Sequence, residues 1–223
     1  IKERLGDVAS AKSISMIAIH AHDIPMDFPE HVLRAAEAAK PVALGNRVDL
    51  RETALITIDP ADARDHDDAI WAALDDDPAN KDGWQTIVAI ADVAHYVKPD
   101  SNLDKEAVKR GNSCYFPDRV VSMLPEALSA GLCSLQPGED RACMAVRMRF
   151  DKNGRKLRHQ FFRGLMNSHA NITYQQAQRA IDGDTDETTI ELRETVLLPL
   201  YGAYKALNAA RGKREPLELD MPE

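Results

Sequence analysis

A short segment flanked by two apolar runs has five aspartates within ten residues, and four of them are candidates for a shared chemistry. They are Asp59, Asp65, Asp67 and Asp68, in the sequence IDPADARDHDDAI of residues 58–70. Carboxylates packed this closely disfavour one another's charged form unless a cation neutralises them. Their hard oxygen atoms suit Mg²⁺ or Mn²⁺ better than Zn²⁺, and such clusters support metal-dependent phosphoryl transfer. The spacing indicates either a divalent-cation site or a solvated acidic loop.

Neither a calcium-binding loop nor the second acidic run of the chain accounts for the chemistry expected here. A calcium-binding EF-hand loop starting at Asp65 would have Ala69 at its fifth position and Ile70 in place of the glycine at its sixth, so that template fails. The second acidic run, Asp75–Asp77, stands directly before Pro78 and is interpreted as a polar turn. The chemistry is therefore expected from the first cluster alone.

Most of the net charge of the chain comes from this region. The 223 residues include 28 Lys and Arg and 36 Asp and Glu, giving a formal net charge of −8. Nine of the acidic residues and two of the basic ones lie between residues 59 and 82, so the remainder is nearly neutral. An overall acidic chain argues against gripping nucleic acid by bulk charge. The 44% hydrophobic content excludes a disordered or collagen-like protein.

The cysteines and the chain ends bear on compartment and completeness. The three cysteines are odd in number and have no CxxC spacing (Cys114, Cys133 and Cys143), which favours reduced thiols and a cytoplasmic location. No apolar run of 18 residues and no signal peptide are found, so no membrane partner is expected. The chain begins at Ile1, and residues 217–223 read as a strand cut short, so we expect a fragment of a longer protein.

The apolar patterns predict an α+β fold, with a largely antiparallel mixed sheet and peripheral helices. The acidic segment is expected between two strands, and Asn153-Gly154 lies between two alternating runs, the pattern of a hairpin. The predicted strands are 54–58, 69–74, 86–97, 142–150 and 156–166. The predicted helices are 29–40, 101–110, 125–130, 173–182 and 187–211. Those at 101–110 and 173–182 begin with capping boxes, and the last contains Pro199 as a kink or break. Residues 14–19 are expected to form a short helix or strand.

The segment 58–70 closely resembles the signature of the ribonuclease II / ribonuclease R (RNB) family of 3′-to-5′ exoribonucleases. Further matching stretches are 49–51, 89–97, 110–117, 123–125, 131–135 and 140–141, with details closer to the ribonuclease R branch. The resemblance implies that residues 1–28 are a lead-in from a preceding region. Residues 29–223 would then be the N-terminal part of a truncated RNB catalytic domain, without the family's flanking oligonucleotide-binding barrels.

The resemblance also implies an activity and a set of roles. The reaction would be metal-dependent hydrolysis of single-stranded RNA from its 3′ end, releasing nucleoside 5′-monophosphates. Asp59, Asp65 and Asp68 would line a Mg²⁺ site, with Mn²⁺ as an alternative metal, and Asp67 would be the aspartate most critical for cleavage. Tyr115 would stack on the 3′-terminal base, a contact that needs no particular base. From the residues alone, a core aromatic is the simpler interpretation of Tyr115.

Several weaker candidates have simpler structural interpretations. His95 and Tyr96 lie on the predicted strand 86–97, and His95 is expected to be a core residue. Asp92 is either a supporting carboxylate or a partner for an arginine, and Tyr174 is a weak candidate for substrate contact. The remaining candidates are a metal pair at His20 and His22 with Asp23, and an RNA channel or a solvated hairpin face formed by Arg141, Arg147, Arg149, Arg158 and Arg163.

Two alternatives to the exoribonuclease remain open at this point. The chain could be a catalytically silent RNA-binding fragment or regulatory relative, although it retains all four aspartates. It could also be a metal-dependent phosphatase if the resemblance is accidental.

Overall fold

The computed structural model describes residues 11–214, so the strand expected at 217–223 lies outside the described residues. The chain forms two compact units. The helical unit comprises Ile1–Lys40 and Val93–Leu132, and the sheet unit comprises Pro41–Asp92 and Cys133–Glu223. The predicted division at residue 28 stays a prediction. No helix within residues 11–214 is both long enough and apolar enough to cross a membrane.

The sheet unit is built on seven strands in the order β1-β8-β7-β4-β3-β2-β9, and the helical unit contains the small β5–β6 hairpin. All neighbours in the large sheet are antiparallel except β1 with β8 and β2 with β9. This confirms the predicted α+β class with a largely antiparallel mixed sheet. In chain order the strands are β1 (Val48–Asp49), β2 (Ile56–Asp59), β3 (Asp68–Leu74), β4 (Trp84–Ala91), β5 (Cys114–Phe116), β6 (Arg119–Val121), β7 (Asp140–Phe150), β8 (Lys156–Asn167) and β9 (Ala170–Thr173).

Six α-helices are described within residues 11–214. They are α1 (Ala11–Ala21), α2 (Glu30–Glu37), α3 (Val93–Tyr96), α4 (Asn102–Arg110), α5 (Tyr174–Asp182) and α6 (Leu198–Gly212). A 3₁₀ turn at Pro78–Asn80 and wider π-type turns at Ala127–Leu132 and Arg193–Leu197 complete the described elements.

The capping predictions are largely confirmed. The Thr173 hydroxyl accepts from the Gln176 backbone N–H at 3.1 Å, while the Gln176 side chain accepts from the Thr173 N–H at 2.9 Å. This is the reciprocal capping box predicted for α5. At α4 the Ser101 hydroxyl accepts from the Asp104 N–H, but the Asp104 carboxylate accepts from the N–H of Asp100 rather than Ser101.

The hairpin between β7 and β8 confirms the prediction from Asn153-Gly154. The Asp151 carboxylate accepts from the backbone N–H groups of Asn153 and Arg155. Gly154 adopts a φ of +76°, in the left-handed region that glycine tolerates best. A side chain there would also meet the Ala206 carbonyl of α6 at 2.3 Å. The hairpin turn therefore touches α6 directly.

The predicted strand 86–97 is wrong in its second half. β4 ends at Ala91, and Val93–Tyr96 form the short helix α3, so His95 and Tyr96 are helical. The Asp92 N–H still donates to the Ala142 carbonyl, but its side chain is buried in an ion pair with Arg47. The strand propensity of the sequence runs on past the point where the sheet ends.

The predicted helix 187–211 is also corrected. Turns occupy 187–191, and α6 begins only at Leu198 after the π-type turn. Pro199 lies in the first turn of α6, directly after the π-type turn Arg193–Leu197, whose last hydrogen bond is donated by the Leu198 N–H to the Arg193 carbonyl. Because proline has no N–H to continue that series, Pro199 stands at the junction of two helical segments, which is the break that the sequence predicts. Gly202 lets α6 approach β4, because a Cβ there would lie 2.4 Å from the Trp84 ring.

A hydrophobic cluster fixes the position of β2 and β9. Ile56 and Ile172 pack with Ala180, Val196 and Leu197, all of them buried. The Asp59 carboxylate therefore projects from the end of a strand whose other residues are anchored in the core.

Candidate active site

The acidic segment spans the connection between β2 and β3. Asp59 is the last residue of β2 and Asp68 is the first of β3. The two strands are antiparallel with Ile56 opposite Ile70, and continuing that register brings Asp59 level with Asp67. The sheet thus gathers three of the four predicted aspartates at one end, and the fourth, Asp65, lies half-buried in the connecting loop. We call these four residues the acidic cluster.

His66 is a member of this site that the sequence interpretation missed. Its Nδ1 lies 2.7 Å from the Asp59 carboxylate and 3.4 Å from the Thr57 hydroxyl. Asp59 itself is only 8% exposed. The sequence signal was available, because His66 stands between two of the clustered aspartates, but its partner could not be known without the register of β2.

Backbone hydrogen bonds hold the acidic loop in place. The Leu135 N–H donates to the His66 carbonyl at 2.7 Å, and the Ser134 hydroxyl accepts from the His66 N–H and donates to the Arg64 carbonyl. The Ala91 N–H donates to the Asp67 carbonyl at 2.8 Å. The segment 131–135, one of the stretches that match the family, therefore positions the loop.

The electrostatics of the acidic cluster are those of crowded carboxylates. The pKa of Asp68 is raised, first by partial burial and then by the charges of Asp67 and Asp59. A hard cation would relieve this repulsion, so charge and donor chemistry fit a divalent metal. Within residues 11–214, however, no three His, Cys, Asp or Glu side chains are arranged as a ready metal site. One of the donors, the Asp59 carboxylate, lies against His66.

Tyr115 lies on β5 in the helical unit and is 66% exposed. The interpretation of Tyr115 as a core aromatic is therefore wrong. Solvent exposure is a condition for stacking on a base, and that role stays a prediction.

Tyr174 is placed beside the acidic cluster. It follows Thr173, which pairs with Asp59 across the parallel β2–β9 ladder, and it is 58% exposed as the first residue of α5.

Several predicted cationic and acidic residues have structural partners instead. Arg149 forms ion pairs with Asp75 and with Asp76, at 3.1 Å for the latter. A turn at Pro78–Asn80 does follow Asp75–Asp77, but the Asp75 side chain is fully buried in its ion pair, so the interpretation of these residues as a solvated acidic loop is wrong for Asp75. Arg141 is 7% exposed and donates to the Ser134 carbonyl. Asp92 pairs with Arg47, the arginine partnership left open by the sequence.

The remaining arginines of the hairpin differ in exposure. Arg147 lies over the Phe162 ring at 5.4 Å. Arg158 and Arg163 have side chains that are 63% and 51% exposed, with carboxylates at 3.8 and 3.6 Å respectively. Arg158 and Arg163 therefore fit the interpretation of a solvated hairpin face better than Arg141 and Arg149 do.

Comparison with protein families places this arrangement in a known class. The family model described as the RNB domain matches residues 47–223, which include the acidic cluster and the whole of the large sheet. The chain belongs to the RNB-domain family.

Relatives and solved structures narrow the similarity. Ribonuclease R of Vibrio parahaemolyticus is 42% identical over 233 residues, covering 100% of this chain and 27% of the relative. Ribonuclease R of Mycoplasma genitalium in complex with double-stranded RNA superposes with a TM-score of 0.85 at 28% identity, covering 94% of this chain and 37% of that one. Its complex with ribose-methylated single-stranded RNA also gives 0.85, at 29% identity, over 98% and 34%. The chain thus spans about a quarter of the curated relative and about a third of the solved chains.

Proposed function

We propose that this chain is part of the catalytic domain of a 3′-to-5′ exoribonuclease that hydrolyses single-stranded RNA and releases nucleoside 5′-monophosphates. The observation that carries the proposal is the acidic cluster, which the RNB-type sheet gathers at the junction of β2 and β3. Resemblance to ribonuclease R proteins with bound RNA supports RNA as the substrate. The phosphatase alternative has no support from these relatives.

The aspartates of the acidic cluster would have two roles, which are to bind the metal and to orient the substrate or the attacking water. Asp59, Asp65 and Asp68 would hold Mg²⁺ or Mn²⁺, which when bound polarises a phosphate and lowers the pKa of water. Asp67 is exposed and its backbone is fixed by Ala91, so its carboxylate would orient the attacking water or the scissile phosphate. Crowding of Asp68 by its neighbours supports the metal assignment.

Removing the divalent cation is the direct test of this function. With Mg²⁺ present, 5′-labelled RNA should shorten one nucleotide at a time, whereas 3′-labelled RNA should release its label in the first products. EDTA should stop both reactions, and added Mn²⁺ or Mg²⁺ should restore them. Activity that is indifferent to the chelator, or internal cleavage of the labelled RNA, would contradict the mechanism.

Tyr115 would clamp the terminal base of the RNA. Replacing it by Ala removes the ring on which a base would stack, a contact that contributes about 1–3 kcal/mol per base. We expect Tyr115→Ala to lengthen the limit product on a sequencing gel, and Tyr115→Phe, which keeps the ring, to leave it unchanged. An identical product ladder for Ala, Phe and the parent would exclude the clamp.

A catalytically silent RNA-binding role is the second candidate. It is favoured by the contact between His66 and the Asp59 carboxylate, which occupies one of the donors a metal would need. Binding of RNA without hydrolysis, in Mg²⁺ and in Mn²⁺ alike, would select this role.

A reducing compartment also remains part of the proposal. Burial raises the pKa of Cys133 to about 12 and that of Cys143 to about 11. Burial therefore keeps both groups as thiols rather than thiolates at neutral pH, and the cytoplasmic location stays a prediction.

A further inference from the structure

A basic cleft lies at the end of the sheet opposite the acidic cluster. It has a volume of about 750 Å³ and lies between the β7–β8 turn and the C-terminal half of α6. Its cationic side chains are Arg155, Lys156, Arg211, Lys213 and Arg214. We refer to this feature as the basic cleft.

The charge of the basic cleft is one-sided. Among the described residues that line it there is no carboxylate, and the other polar side chains are two amides, Asn153 and Asn208, and the phenol of Tyr204. All five cations are exposed, and within residues 11–214 no ion pair joins any of them to an acidic residue. On a chain with a net charge of −8, a local excess of five positive charges is a footprint for a polyanion.

The walls of the cleft are held in place by packing. Gly154 of the turn approaches α6 so closely that a Cβ would lie 2.3 Å from the Ala206 carbonyl and 2.9 Å from the Ala210 Cβ. Phe150 and Leu207 supply an apolar floor. Tyr204 is 57% exposed at the rim, where an aromatic face can stack on a base. The cleft is therefore formed by two segments, the β7–β8 turn and α6, that pack directly against each other.

The basic cleft is separate from the acidic cluster. Asp68 is the first residue of β3, and Leu74 is its last. Leu74 pairs with Trp84 of β4, and Trp84 pairs with Phe150, which lines the cleft. Six residues of extended strand span about 20 Å. One molecule of RNA could reach both places only by following the sheet over that length.

We propose that the basic cleft binds the phosphate backbone of single-stranded RNA as an auxiliary site. The exposed cations would contact phosphates without reading sequence, and Tyr204 would stack on a base. The proposed function supplies the reason for choosing RNA among polyanions, but binding at the cleft requires no hydrolysis. An acidic segment of the chain itself, residues 215–223 with Glu215, Glu218, Asp220 and Glu223, is the competing occupant.

The test is a binding titration of the full chain with labelled oligo(U), in EDTA so that no hydrolysis occurs, over a range of salt concentrations. The triple variant Arg155→Gln/Arg211→Gln/Arg214→Gln should weaken binding at least about tenfold near 0.1 M salt. It should also reduce the slope of log affinity against log salt by about 2, since each phosphate contact to a single strand contributes about 0.7. The matched control, Lys40→Gln/Lys105→Gln/Lys109→Gln, removes three exposed charges of the helical unit and should change neither quantity appreciably.

Two outcomes would overturn the proposal. Equal weakening by the triple variant and its control would mean that only net charge matters. A triple variant that lowers the melting temperature but binds RNA like the control would assign the cleft to residues 215–223, and neutralising the four acids of that segment should then lower the melting temperature by a similar amount. Because the readout is binding in EDTA, failure here leaves the cleavage assay of the proposed function untouched.

Discussion

Replacing Asp67 by Asn should reduce RNA hydrolysis by about 10²–10⁴-fold, the usual contribution of a positioned acid–base group, while leaving the affinity for RNA within about twofold. Asn preserves the size and the backbone hydrogen bond from Ala91 but removes the charge that would orient water or phosphate. The side chain is exposed, so folding should be unaffected. Single-turnover cleavage of 5′-labelled RNA gives the rate, and anisotropy in EDTA gives the affinity.

Asp62 provides the control for this substitution. Asp62 lies in the same loop and is exposed. Asp62→Asn makes the same change of charge at a position three residues from Asp59. Its cleavage rate should stay within about threefold of that of the parent. Equal rates for the two Asn variants would show that Asp67 has no special part in cleavage.

Replacing Arg47 by Met should lower the free energy of unfolding by about 3–5 kcal/mol, because it leaves the Asp92 carboxylate buried without its main partner. The Arg47 Nη2 lies 2.7 Å from the Asp92 carboxylate, with side chains 7% and 2% exposed. Arg47 also donates to the Gly164 carbonyl. The remaining cation, Arg163, lies 3.6 Å from Asp92 and is half-exposed. Urea unfolding followed by circular dichroism measures the change.

The exposed pair of Arg34 with Glu30 is the matched comparison. Its atoms are 2.6 Å apart, but the side chains are 65% and 81% exposed, so Arg34→Met should cost no more than about 0.5 kcal/mol. The double variant Arg47→Met/Asp92→Leu removes both buried charges and should recover most of the lost stability. A single Arg47→Met change as mild as Arg34→Met would mean that Asp92 is not confined as the structure has it.

Local sequence patterns predict the elements whose causes are local. The Thr173 capping box needs only four residues, and the hairpin at Gly154 needs only a turn between alternating runs. The error at 86–97 has a different origin. Period-two alternation and β-branched residues mark propensity, but the end of β4 is set by Asp92 turning inward to Arg47, which is 45 residues away in the chain.

The candidate site also combines features that the local sequence predicts with features that depend on the tertiary structure. The spacing of the aspartates indicates their shared chemistry, and antiparallel pairing of β2 with β3 converts spacing into proximity. The partners of Arg149 and Arg141 depend on which strands become neighbours. Arg149 meets Asp75 across 74 positions of sequence, and no local pattern encodes that meeting. Likewise, the contact of His66 with Asp59 requires the path of the whole loop.

The pairing of Asp75 and Asp76 with Arg149 affects the long-range electric field of the sheet unit. Arg149 balances the charge of one of these two carboxylates. The acidic cluster carries negative charge at one end of the strands, and the basic cleft carries five positive charges at the other end, about 20 Å away. The sheet therefore carries a permanent electric dipole along its strands. A polyanion diffusing nearby is therefore oriented as well as attracted. It meets the cationic end of the sheet first. Such alignment weakens once salt shortens the Debye length to about 8–10 Å.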